Sequence, residues 1–188
     1  MDRYHLFETA HGVAAIGWNA RGVCALRLPA SSDQDAERSL RRHLPDAVRT
    51  DPPAEVAAVV AAAQRYFTGE QTDFAAVPVD LGEQSPFFMR VYDAVRALGW
   101  GESTTYGAVA KQLGAGPEFA RDVGQAMANN PIPLIVPCHR VLAAGGKVGG
   151  FSAPGGSVAK ARMLALEGIA TTAAAPAPKP STQQSFGF

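Results

Sequence analysis

The sequence predicts an α/β fold in two parts: a small N-terminal α/β scaffold over residues 1–82, and a mostly helical part over residues 83–170 with a helix-turn-helix and a cysteine on a short strand or turn. Three observations predict it. Short runs of strand-forming residues open the chain, broken by His11-Gly12 and Asn19-Ala-Arg-Gly22. Near Gly82 the pattern changes to apolar residues at helical spacing with caps and proline starts. Finally, Ile132-Pro-Leu-Ile-Val-Pro137 reads as a short buried strand closed by a rigid turn, which delivers Cys138, His139 and Arg140 at its end.

Taken in order, Tyr4–Thr9, Val13–Trp18 and Val23–Leu28 are the expected strands, joined as hairpins. Asp33–Leu44 reads as a polar helix stopped by Pro45. A second helix is expected from an Asp51 N-cap, with Pro52 at its first position, to Phe67, and Val56, Val59, Val60 and Ala63 form its apolar face. Val77–Leu81 is a candidate returning strand. Ser85 caps a helix that opens at Pro86 and ends at Gly99 and Gly101. Ser103 or Thr104 caps a short helix carrying Tyr106, Val109, Ala110 and Leu113, and Pro117 opens another that runs to about Asn129. A last helix spans Ser157 to Glu167, and residues 171–188 form an Ala/Pro-rich tail expected to be disordered.

Composition narrows the function. The chain has 188 residues and net charge +0, so nucleic-acid binding would have to come from local geometry and not from a basic surface. Cys24 and Cys138 are the only cysteines, which excludes a disulfide framework and fits a reducing compartment. No 18-residue apolar run and no basic-then-apolar start occur, so a cytoplasmic protein is expected, nucleoid-associated when bound to DNA. His5, His11 and His43 have no ligand spacing, and no metal site is expected.

The pair of short helices around Gly114-Ala-Gly116 fits a helix-turn-helix, a pattern shared by many helical pairs that touch no DNA. On its second helix Ala120, Gly124, Ala126 and Ala128 allow close approach to a groove or to another helix, and Arg121 is the sole basic residue, beside Glu118 and Asp122. Cys138 beside His139 suits an activated thiol, because a base or a positive charge lowers a thiol pKa. A buried core cysteine is the alternative, and for Cys24 it is the preferred reading. The glycines from Gly145 to Gly156 permit a loop folded over Cys138 with Phe151 as its flat face, or a flexible surface loop.

Pro137-Cys-His-Arg-Val141, preceded by Asn130-Pro131 and Arg121-Asp-Val-Gly124, resembles the O6-alkylguanine-DNA alkyltransferases. The resemblance covers about Ser85 to Gly168, more loosely the N-terminal half, and includes Tyr106 and Glu167 in the family's order. It implies direct-reversal repair: O6-alkylguanine, with O4-alkylthymine as a further candidate, is flipped from duplex DNA and its alkyl group passes irreversibly to Cys138. It also implies that His139 is a base acting through water, oriented by Glu167, and that Asn130 ties the hinge before the active-site strand. Tyr106 would press on a phosphate, with Gly107 beside it in the DNA contact, and Arg121 would fill the space the base leaves. Pro133, Val148, Phe151 and Ser152 would wall the pocket. No cofactor, no membrane and no obligate protein partner are implied; the damaged DNA is itself the alkyl donor.

The chain departs from the family's pattern in three places. Phe151 stands where a tyrosine is common, the Gly150–Gly156 loop is about two residues longer, and Asp122 replaces a common alanine, so weak, salt-sensitive DNA affinity is expected. Three rival readings remain. A lesion-flagging relative that transfers nothing would lack the cysteine, a Cys-His hydrolase would need an oxyanion hole that no motif identifies, and a helix-turn-helix regulator would carry more Lys and Arg.

Overall fold

A computed structural model describes residues 1–172; most of the tail expected to be disordered, from residue 173 on, lies outside the described residues. Strands β1 (Arg3–Thr9), β2 (Gly12–Asn19) and β3 (Gly22–Ala30) form an antiparallel meander. A short β4 (Val48–Arg49), which the residue pattern did not announce, pairs parallel to β1, so the sheet order is β3-β2-β1-β4. Helix α1 (Asp33–Arg41) covers one face through Ala36 and Leu40, against Tyr4, Leu6, Val13 and Ala15. The other face, with Phe7, Ala14, Ile16 and Trp18, joins the main core beneath α2 (Ala54–Phe67) and the C-terminal part. Because β2 is covered on both faces, Val13-Ala-Ala-Ile-Gly-Trp18 is apolar almost without interruption.

Three elements differ from expectation for identifiable reasons. Helix α1 stops at Arg41, short of the expected Leu44: the chain tightens there, with His43 N–H bonding to Leu40 O at 2.9 Å, and Pro45 disfavours a helical residue before it. Helix α2 starts at Ala54 with Pro53 as an N-cap that offers no side-chain bond; Pro52, itself followed by a proline, cannot open the helix, and Asp51 is not its cap. Val77–Leu81 is not a strand. It makes one bridge, Val23 to Val79, with Val23 N–H donating to Pro78 O at 2.9 Å, and Pro78 has no N–H with which to extend a ladder. Gly22 holds φ +139° against this segment, and a Cβ there would lie 2.4 Å from Pro78 O.

The second part opens with α3 (Pro86–Arg96), capped by Ser85, whose hydroxyl accepts from Phe88 N–H at 3.2 Å. A two-residue β5 (Thr104–Thr105) precedes α4 (Tyr106–Gln112), and the cap is Thr105 instead of Ser103 or Thr104. After a single 3-10 turn at Pro117–Phe119, α5 (Ala120–Ala128) packs on α4 as the second member of the helix pair. Then come β6 (Val141–Leu142), parallel to β5, and α6 (Gly156–Leu166). At the end of the described chain Thr172 N–H donates to Gly146 O at 3.1 Å. No described helix is long and apolar enough to cross a membrane.

Candidate active site

Asn130 shapes the segment ahead of Cys138. Its Oδ1 accepts from Ile132 N–H at 3.0 Å and its Nδ2 donates to Val136 O at 2.8 Å, closing residues 130–136 into a tight loop. The short buried strand expected here does not form. Leu134 sits at φ +78° in the left-handed region, among the described residues the only non-glycine with positive φ, and Val136 N–H bonds back to Ile132 O at 2.9 Å. Pro137 (φ −79°, ψ 65°) then makes an inverse γ-turn in which Cys138 N–H donates to Val136 O at 2.7 Å. Cys138–Arg140 follow as one 3-10 turn. The cysteine is therefore set on a turn whose backbone is held on both sides.

His139 and Glu167 meet beneath this turn. Glu167 Oε1 lies 2.6 Å from His139 Nε2, accepts from Tyr66 OH at 2.8 Å and from Arg140 Nη2 at 3.2 Å; Oε2 accepts from Arg140 Nε at 2.8 Å and from Gly101 N–H at 3.3 Å. Burial alone would raise the Glu167 carboxyl, but hydrogen bonds from His139, Arg140 and Tyr66 bring it down to about 2. His139 is held below its ordinary value by burial, against the opposing pull of Glu167. A neutral ring that donates Nε2–H to Glu167 leaves Nδ1 as an acceptor, and that buried Nδ1 has no hydrogen-bond partner among the described residues. Burial also pushes the Cys138 thiol up, opposed by the Asn130 amide, the Lys160 ammonium and the local backbone N–H groups.

Two cavities meet at Cys138 and share Met127, Ala128, Phe151 and Ser152 as walls. One, of about 440 Å³ and mostly apolar, adds Tyr106, Gly124, Gly150 and Lys160. The other, of about 480 Å³, adds Asn130 and Pro133 and reaches across to β3 and the end of α1. Ser152 Oγ donates to Ala128 O at 3.0 Å, which fastens the glycine-rich loop to α5. Val148, expected as a pocket wall, is buried but lines neither cavity, because the extended stretch before Gly149 packs it inward. Tyr106 turns its ring into the first cavity, beside Gly124 and Gly149, and its hydroxyl lies 3.4 Å from Lys160 Nζ. Arg121 and Gly107 are exposed, on α5 and at the start of α4 respectively.

Three residues of the site drew no role from the sequence. Lys160 is buried, donates to Val141 O at 2.6 Å and has its pKa pushed down to about 8 by burial. Its signal was a lone lysine one turn ahead of Met163 and Leu164 on an apolar helix face. Arg140 stood in the motif itself, and Tyr66 continued the stripe of Val59 and Ala63 with a polar tip that needs a buried partner. Cys24 is buried on β3 with its thiol pushed up to about 12, first by burial and then by Asp2 and Asp80, as suits a core residue. Among the described residues no His, Cys, Asp and Glu side chains gather in a metal-binding group.

Fold and site define a two-part α/β protein in which a helix pair stands over a buried cysteine, backed by a histidine–carboxylate pair. The family profile described as 6-O-methylguanine DNA methyltransferase, DNA binding domain, matches residues 86–169. A methylated-DNA–protein-cysteine methyltransferase of Mycobacterium bovis is 42% identical over 167 residues, covering 89% of this chain and 93% of the relative. One of Metallosphaera sedula is 47% identical over 103 residues, a match that spans 55% of this chain and 62% of the relative. The crystal structure of the Mycobacterium tuberculosis O6-methylguanine methyltransferase superposes with TM-score 0.69 at 35% identity, covering 89% of this chain and 93% of that one. The chain belongs to the methylated-DNA–protein-cysteine methyltransferase family.

Proposed function

We propose that this protein repairs DNA by direct reversal, taking an alkyl group from O6 of a flipped-out guanine onto Cys138 in a single, irreversible event. The observation that carries the reading is the environment of Cys138: a buried thiol at the meeting of two cavities, beside His139, whose Nε2 is engaged by Glu167. In this reading His139 Nδ1, the ring nitrogen left unpartnered, takes the thiol proton, through a water as the family resemblance implies. Sulfur then bonds the alkyl carbon as the C–O6 bond breaks, and guanine departs with a proton. Glu167 stays ionised throughout and fixes the histidine tautomer.

The apolar cavity beside Tyr106 and Phe151 suits the faces of the flipped base, and the Lys160 ammonium next to Tyr106 OH places a donor at its inner end. Exposed Arg121, on a helix whose Gly124 packs on the Tyr106 ring, is assigned to the gap in the stack, and Gly107 to the backbone contact. Residues 83–170 would handle DNA while residues 1–82 support the Cys138 loop, as in the bond from Leu26 N–H to Pro131 O at 3.1 Å. The protein would act in the cytoplasm, on the nucleoid. The test is a duplex bearing O6-methylguanine labelled on the methyl carbon. One label per molecule on Cys138 is expected; repeated turnover, or no transfer by folded protein, sinks the proposal.

A further inference from the structure

The second cavity at Cys138 has an unusual charge. Its far wall carries Arg27 of β3 with Arg42 and His43 just beyond α1, and among the described residues no carboxylate lines it. Arg27 is the anomaly. It is partly buried, its Nε is shut off from solvent without a hydrogen-bond partner, and among the described residues no carboxylate pairs with it. Burial and the neighbouring Arg42 both press against its charge. A guanidinium left in this state calls for an anion, since an unpaired buried charge is costly.

Geometry says which anion. The cavity that holds Arg27 also touches Cys138, and it adjoins the apolar cavity assigned to the base. In an in-line displacement the carbon under attack lies between sulfur and O6, so whatever else that carbon bears must project sideways. With the base in the apolar cavity, the projecting group enters the cationic one. We propose that this cavity selects O6-alkylguanines whose alkyl group ends in a carboxylate, with Arg27 as the residue that receives it and Arg42 at the rim. The inference rests on the alkyl-transfer reading and names the adduct class for the same site. The step balances: the Cys138 sulfur bonds the adduct's methylene carbon, the C–O6 bond gives its pair to O6, guanine leaves with the thiol proton, and an S-carboxyalkyl cysteine remains.

Free nucleobases test this without DNA phosphates. Transfer to Cys138 is timed from O6-benzylguanine, its para-carboxylate and its para-carboxamide, the last a neutral group of nearly the same shape. The carboxylate is expected to react roughly tenfold faster than the carboxamide, the effect of one charge-assisted hydrogen bond. Arg27→Gln should bring that ratio to about one while leaving transfer from O6-benzylguanine unchanged, and Arg42→Gln, on the exposed rim, should lower it less. Equal rates for carboxylate and carboxamide in the unaltered protein overturn the inference. So does a slowing of all three bases alike by Arg27→Gln. A duplex series with O6-methyl and O6-carboxymethyl guanine separates the remaining case: if Arg27→Gln weakens both duplexes equally and leaves the free-base ratio intact, Arg27 contacts a phosphate and the inference fails. Absence of transfer from O6-methylguanine DNA itself would instead remove the underlying alkyl-transfer reading.

Discussion

Replacing Glu167 by Gln isolates the charge on which the site is built. The side chain is shut off from solvent and holds Arg140, whose guanidinium is itself buried. The fall of the Glu167 carboxyl from 4.5 to about 2 corresponds to about 3 kcal/mol of folding free energy, with no solvent exposure to discount. Breaking a buried pair from one side costs about 3–5 kcal/mol in general, so the two routes agree on size. The sign follows from the depressed carboxyl: the stabilisation is present above about 4.5 and is lost as pH falls towards 2. Urea unfolding of Glu167→Gln at neutral pH should therefore show a loss of about 3 kcal/mol. The unaltered protein should lose stability between pH 4.5 and 2, and the variant should have a flatter acid limb. A loss below about 1 kcal/mol, or parallel acid limbs, would refute the claim that Glu167 is held ionised by its donors.

Other substitutions separate the roles of the remaining residues. Cys138→Ser should still bind O6-methylguanine duplex in a filter or fluorescence assay and transfer nothing; a folded variant that no longer binds would show that the thiol, and not the cavity, holds the lesion. Arg121→Ala should slow transfer from duplex on the order of tenfold to a hundredfold, because opening a stacked step costs a few kcal/mol, and should spare transfer from free O6-benzylguanine. Equal slowing of both rules out a stack-filling role. Asn130→Ala leaves Ile132 N–H, a buried backbone donor, without its partner and takes one of two donors from Val136 O, and should cost about 1–3 kcal/mol by urea unfolding. A loss under 1 kcal/mol would mean that the loop before Cys138 closes without that amide.

Strands β1 to β3 were legible because runs of strand-forming residues between turn residues are local signals, as were the Ser85 cap and the Pro86 start of α3. The segment before Cys138 was misread for the same reason. Ile132-Pro-Leu-Ile-Val-Pro137 has strand composition, yet its shape is set by the Asn130 amide, which bonds residues two and six positions on. Strand β4 and the β5-β6 pair were not legible, since two-residue ladders exist only where tertiary packing brings their backbones together. Within the site, the Cys-His pair stood out because its members adjoin in the chain. Lys160 and Tyr66 did not, because a polar tip on an apolar helix face becomes informative only when its partner across the core is known.

The thiol environment bears on a residue that reacts once. Burial raises Cys138, so in the resting site it is held as the thiol, a weak nucleophile towards chance electrophiles. The groups that oppose burial, the Asn130 amide and the Lys160 ammonium, act in surroundings where water screens them little. On the proposed function, a base seated between Tyr106 and Phe151 would displace water from that cavity and strengthen both groups, and it would put the alkyl carbon within reach of sulfur. Lys160, held near 8, is the group whose charge is most easily lost, so alkaline pH weakens support for the thiolate while favouring loss of the thiol proton. The expected outcome is a rate of transfer from free O6-benzylguanine that levels off above about pH 8; a rate that keeps rising with pH would show that Lys160 does not support the thiolate.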